Sequence, residues 1–279
     1  MHLSLLRVSL TLAIVAFAAP ATAQTCTSPI PAADLTVPGK LQLSINPTLP
    51  PLQSIDSKGE LQGVNVEIGK EIAKRLCLQM DFQRMDFPAM VPGLQAGRFD
   101  GIDTGMFWTE ERSKIMFTVP YALSAIGVLV ANDSKFKPAE PADLLGHVVA
   151  VDADSYQERW LRNFSKTESE KGAKPIEVRA FITPTEVIAT LRAGQAEAAA
   201  LPAYTTNEIA KRGQAVVAIK AMGATPITMA FRKRSVAEAV AKALNDMKAE
   251  GVYAKLLDEA GVPHLPEPQF AIRGPGPSS

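Results

Sequence analysis

The chain has 279 residues, with 29 Lys plus Arg against 29 Asp plus Glu and 47% hydrophobic side chains. That length suits two domains of ordinary size, and the balanced charge gives no field that would draw nucleic acid or an anionic membrane. Two cysteines without CxxC spacing and three scattered histidines exclude a thiolate or imidazole metal site, so no metal and no cofactor are expected and the partner is a small molecule.

Arg7 precedes a ten-residue apolar run, 10–19, and Ala21-Thr22-Ala23 supplies small residues at a cleavage position. A membrane span needs about 20 apolar residues, so 1–23 reads as a signal peptide. Cys26 is poorly placed for a lipid anchor, and a soluble exported protein is expected. In an oxidising compartment the lone pair Cys26 and Cys77 is expected to be bridged. Residues 24–39, rich in Pro and small side chains, read as an extended N-terminal arm.

Residues 41–45 alternate as a strand, and 46–52, with three prolines, form a stiff loop. After Gly59, Val64, Val66, Ile68, Ile72, Ala73 and Leu76 make one apolar helix face that ends near Arg75. Met90 to Asp100 aligns without gaps with Val187 to Glu197, 97 residues later. Each copy is a helix, a glycine stop (Gly97 or Gly194) and a strand. Asp86 caps the first, and Thr183-Pro184-Thr185-Glu186 is a capping box for the second. The repeat implies two lobes of like topology with a ligand cleft between them.

The first repeat leads through Thr104-Gly105 to a helix start where Thr109 can cap and Glu110 and Glu111 suit the positive end of the dipole. Arg112, a cation in that first turn, needs a compensating anion, which is either a neighbouring acid or a ligand carboxylate. Strand-like residues 121–130 and the segment 131–135 lead into the second lobe. There 148–151, the helix after Ser155, the strand 176–181 and the second repeat follow. Residues 216–221 cross back, a helix at 236–247 continuing through 252–257 packs on the first lobe, and the Pro/Gly-rich stretch 266–279 reads as a flexible tail. The expected division is therefore 40–130 with 222–265 as lobe 1 and 131–221 as lobe 2, each an α/β unit with a mostly parallel sheet.

The stretch from Asp100 to Arg112 resembles the motif D-A-I-x-S-G-M-T-x-T-x-E-R of the periplasmic solute-binding proteins of family 3, the polar amino-acid and opine binders. Asp100, Gly105, Met106, Thr109, Glu111 and Arg112 match it. The resemblance implies the two-lobed type II periplasmic-binding-protein fold, with Arg112 clamping a ligand carboxylate. Thr104, Gly105, Met106 and Phe107 would line the pocket, and Trp108 is either a further contact or a core residue. Asn46 to Leu52 resembles the family loop D-P-T-Y-P-P-F, with Leu49 and Leu52 in its aromatic places. In lobe 2, Asp152, Asp154, Ser155 and Tyr156 fall on the family's V-G-V-x-x-G-T-T segment, with Ser155 and Tyr156 at the two Thr places. Pro202 stands where the family keeps an Asp for the ligand's α-ammonium, so Asp152 or Asp154 is the candidate replacement. The implied function is capture of a small carboxylate-bearing solute, amino-acid-like or an organic acid, by a monomeric periplasmic protein for an inner-membrane ABC permease. No catalytic residues are expected. Two alternatives stand beside it. One is a cyclohexadienyl dehydratase-like enzyme using Asp152, Asp154 or Glu186 as general acid, and the other is a periplasmic sensor or accessory binding protein.

Overall fold

The computed structural model describes residues 26–277; the expected signal peptide and its cleavage position lie outside them. The strands are β1 (Lys40–Ile45), β2 (Thr48–Leu49), β3 (Gln53–Ile55), β4 (Leu61–Gln62), β5 (Gln79–Arg84), β6 (Gly101–Phe107), β7 (Phe117–Val130), β8 (Val148–Asp152), β9 (Glu177–Phe181), β10 (Ala198–Pro202) and β11 (Val216–Phe231). The helices are α1 (Val64–Arg75), α2 (Phe87–Gln95), α3 (Glu110–Ile115), α4 (Tyr156–Ser169), α5 (Pro184–Arg192), α6 (Ala203–Lys211), α7 (Arg234–Ala249) and α8 (Val252–Ala260).

Eight strands form one sheet in the order β5-β1-β6-β11-β7-β10-β8-β9. Its two outer thirds repeat one pattern. In lobe 1, β1-α1-β5-α2-β6 gives the spatial order β5-β1-β6, and in lobe 2, β8-α4-β9-α5-β10 gives β9-β8-β10. Within each triplet every pairing is parallel. The internal repeat is the visible trace of this: α2 and α5, like the starts of β6 and β10, lie 97 residues apart. The stop glycines Gly97 and Gly194 share φ values of 70° and 68°, which a glycine adopts at no steric cost.

The two lobes share β7 and β11, a long antiparallel pair down the middle. β6 pairs with β11 at Phe107 to Gly101, whereas β10 pairs with β7 at Ile126 to Leu129. Ile126, Val128 and Val130 belong to the lobe 2 core, and Val119, Tyr121 and Ala122 to the lobe 1 core. The lobes therefore change over inside the strands, near Ser124–Ala125 on the way out and Met222–Thr225 on the way back. This corrects the crossings read at 131–135 and 216–221. Strand propensity alone cannot reveal which neighbour changes along a continuous strand.

The expected C-terminal helix is two helices, because Gly251 takes φ 78° between α7 and α8. Nor are residues 266–277 a free tail. Phe270 is buried with the lobe 1 core, and Asn245 holds its backbone at both ends through Nδ2 to Phe270 O (2.9 Å) and Phe270 N–H to Oδ1 (2.7 Å). Further on, Arg273 N–H reaches Thr118 O and Gly276 N–H reaches Ser113 O. The arm is likewise fastened, with Ile30 and Leu35 buried and Thr36 N–H donating to Asp100 at 2.6 Å. Cys26 and Cys77 form the expected disulfide, tying the arm to the end of α1.

Candidate functional site

Where β6, β8 and β10 end, helices α3, α4 and α6 begin, and their first turns converge from both lobes. Open α/β sheets place ligands at these carboxyl edges. A cavity of about 30 Å³ lies there, walled from lobe 1 by Leu49, Phe87, Thr104, Gly105, Met106, Phe107 and Arg112, and from lobe 2 by Asp152, Ser155, Tyr156, Gln157, Pro202 and Tyr204. A larger cavity of about 340 Å³ opens between Pro50 and helices α5 and α6, but it holds no buried charge. The smaller one does.

Arg112 is 5% exposed. Thr109, the N-cap of α3, accepts its backbone N–H at 3.2 Å, and the short helix delivers the side chain inward. Its Nη1 donates to Phe107 O at 2.7 Å and its Nη2 crosses to lobe 2 to reach Asp154 O at 3.2 Å, while the Phe87 ring lies 5.2 Å beneath it. These partners are carbonyls and a ring face. Among the described residues no carboxylate forms an ion pair with it. Burial, and then the nearby Arg159, press its pKa down to about 9, opposed by Asp154 and Glu111. It is thus charged at neutral pH and short of an anion.

Asp152 is the acid on the facing wall. It ends β8, is 7% exposed, and its Oδ1 has no partner. Burial, with Asp86, Asp154, Glu158 and Glu186 around it, lifts its pKa to about 8. Asp154 is exposed and offers Arg112 its backbone carbonyl, because it stands in the left-handed region at φ 56°. Glu186 caps α5 from an exposed position. Of the three acids considered as general acids, Asp152 faces the cavity.

Aromatic and small side chains complete the walls. Phe107 and Tyr156 stack across the lobe boundary with centroids 5.0 Å apart and planes 9° from parallel. Ser155 caps α4, accepting Glu158 N–H at 3.1 Å, and Pro202 ends β10 as the N-cap of α6. Thr104 lines the cavity but spends its hydroxyl on Asn46 N–H and Gln53 Nε2. Gly105 is required to be glycine: φ is 67°, and a Cβ would stand 2.6 Å from Leu52 and 2.7 Å from the Tyr204 hydroxyl.

Three expected contacts lie elsewhere. Asn46 sits one step behind the wall, accepting the Thr48 hydroxyl at 2.6 Å, and Leu52 packs beneath Gly105. Trp108 points away, with its indole N–H on Thr118 Oγ1 at 3.1 Å and its ring against Arg273, because β6 has ended and its backbone N–H is taken by Pro226 O. Conversely, Phe87, Gln157 and Tyr204 were missed. Each occupies the first turn of a helix that follows a strand, the same rule that picks out Arg112. Gln157 brings a buried amide whose Nε2 has no partner. Tyr204 reaches Gly105 O at 3.5 Å, and burial holds its hydroxyl protonated well above the usual range.

The cleft thus presents a buried cation, a buried acid and an unpaired amide between aromatic walls. Comparison with known proteins shows the family. The chain is 29% identical to the histidine-binding periplasmic protein of Salmonella typhimurium over 237 residues, 81% of this chain and 88% of that one. It is 26% identical to the probable ABC transporter arginine-binding protein ArtJ of Chlamydia trachomatis over 236 residues, 80% of this chain and 86% of that one. Among solved structures, an ancestral arginine-binding protein bound to arginine superposes with TM-score 0.73 at 27% identity, covering 79% of this chain and 97% of that one. An ancestral amino acid-binding protein described as a precursor of cyclohexadienyl dehydratase superposes with TM-score 0.68 at 26% identity, covering 79% and 95%. Residues 41–261 match the family itself, and the chain belongs to the bacterial extracellular solute-binding proteins, family 3.

Proposed function

We propose that this protein captures, in the periplasm, a small solute bearing a carboxylate and a cationic group and presents it to an ABC-type permease. Arg112 holds the carboxylate through charge-assisted hydrogen bonds, and the first turn of α4 at Ser155 adds backbone donors. Asp152, ionised by the arriving cation, takes the role that Pro202, without charge or N–H, does not fill. The observation that carries this reading is the presence of two unpartnered ionisable groups in one cavity: a buried guanidinium without a carboxylate and a buried acid whose Oδ1 has no partner. The family's solved relatives include arginine-bound proteins, whose ligand has both charges. The protein acts as a monomer whose two lobes close on the solute. Family membership makes it a binding protein rather than an enzyme.

The test is native mass spectrometry of freshly purified protein, followed by a thermal-shift panel of amino acids, amines and carboxylates. A ligand with a zwitterionic, amino-acid-like head is expected. A preference for simple amines, with no gain from a carboxylate, would overturn the reading.

A further inference from the structure

Tyr156 is a wall shared by two cavities. Its inner side stacks on Phe107, as described above. On its outer side an open groove of about 520 Å³ runs between Thr109 and Glu111 of lobe 1 and one face of α4. Tyr156, Trp160 and Phe164 are spaced i, i+4, i+8, which lays their rings along one line of the helix. Trp160 and Phe164 stack with centroids 5.3 Å apart, and Trp160 rests on the backbone at Gly223.

Arg159 stands in this groove, exposed, and among the described residues its guanidinium has no hydrogen-bond or ion-pair partner. The next cation on the same helix is treated differently, since Arg162 is paired with Glu158 at 2.8 Å. Arg159 is also near enough to Arg112 for the two cations to repel, an arrangement that favours anions between or beside them. Glu111 faces the groove too; no ion pair closes between it and Arg159, but Arg159 attracts it from nearby and, after Glu111's own hydrogen bonds, helps hold its pKa down. The inner cavity, at about 30 Å³, has room for a couple of water-sized groups, so the rest of a longer solute lies outside it, and Tyr156 borders both spaces.

Building on the head-group reading above, we propose that the groove is an outer subsite for a second anionic group. The solute is then an extended molecule, with an amino-acid-like head at Arg112 and Asp152, a body over Tyr156 and Trp160, and a distal carboxylate at Arg159.

The experiment is calorimetric titration of the mature protein with L-2-aminoadipate, L-2-aminopimelate and L-2-aminosuberate, each beside the amino acid of the same chain length that lacks the distal carboxylate. At least one diacid is expected to bind tenfold or more tighter than its monoacid partner, and Arg159→Gln should bring the two within twofold. Because Arg159 is exposed, its variant should keep the wild-type melting curve. Monoacids that bind through Arg112, with no diacid any tighter, would overturn the outer subsite and leave the head-group reading standing. If neither series bound, both would fall.

Discussion

Arg112 joins the two lobes through a single hydrogen bond, from Nη2 to the carbonyl oxygen of Asp154 at 3.2 Å, and it makes that bond to backbone although Asp154 owns a carboxylate. The cation is therefore held in place without being neutralised. Arg112→Met is expected to lose about 2–5 kcal/mol of binding, tens-fold to thousands-fold in affinity. The ligand-free variant should melt no lower than wild type, since a buried charge short of a partner is replaced by an apolar group of similar length. Calorimetry and a melting scan on the same samples check both. A variant with unchanged affinity would reduce Arg112 to a structural tie.

Asp152 sets a pH dependence whose sign is fixed. Its folded pKa, about 8, lies above the unfolded value of about 3.9, so between those limits the folded state binds more protons. Its contribution to stability is greatest below about pH 4 and falls as pH rises towards 8, with a ceiling of about 6 kcal/mol. Asp103, wholly buried with both oxygens unpaired and its pKa raised by burial, adds a slope of the same sign. The difference between wild type and Asp152→Asn therefore isolates Asp152. A cationic ligand should also expel its proton, so binding near pH 6 is expected to release about one proton, measurable by titration in buffers of different ionisation enthalpy.

Gly105 predicts a steric block. Gly105→Ala places a methyl group 2.6 Å from Leu52 in lobe 1 and 2.7 Å from the Tyr204 hydroxyl in lobe 2, at φ 67°. A loss of about 1–3 kcal/mol in stability is expected from strain and overpacking, together with weaker binding because the second clash opposes closure. Small-angle scattering with and without ligand should find the variant more open.

The Cys26–Cys77 bridge closes a separation of 51 residues, for which loop entropy suggests about 4 kcal/mol. Replacing both cysteines by serine should lower the denaturation midpoint accordingly. Affinity should hold, because neither cysteine touches the cavity. Free-thiol labelling of unfolded, unreduced wild type should detect none.

The repeat spaced by 97 residues made the two-lobe plan legible, because helix, glycine stop and strand carry local signals that survive without tertiary context. Arg112 was legible for a similar reason, as a cation placed against a helix dipole. Phe87, Gln157 and Tyr204 were not, since a Phe, a Gln or a Tyr in a first helical turn is locally ordinary and becomes part of a site only when two lobes face each other. Trp108 stayed open between contact and core because adjacency to Phe107 says nothing once the strand stops alternating. The fastened tail was missed because its Pro and Gly content conceals one buried anchor, Phe270.

The crossing pair has unequal lengths. Between its pairings with Leu129 and Ser124 of β7, a gap of five residue steps, β11 runs from Val217 to Thr225, eight steps, with three shifts of register. The outgoing strand thus serves as an axle and the return strand as a loose sleeve around it. Bulged backbone absorbs dihedral change without loss of the flanking ladder, so one lobe can swing on the other while the parallel strands of each stay paired. Gly223 lies within the sleeve, and Trp160 leans on it. A solute lying along the α4 groove would press on the bearing of the swing as well as on its jaws.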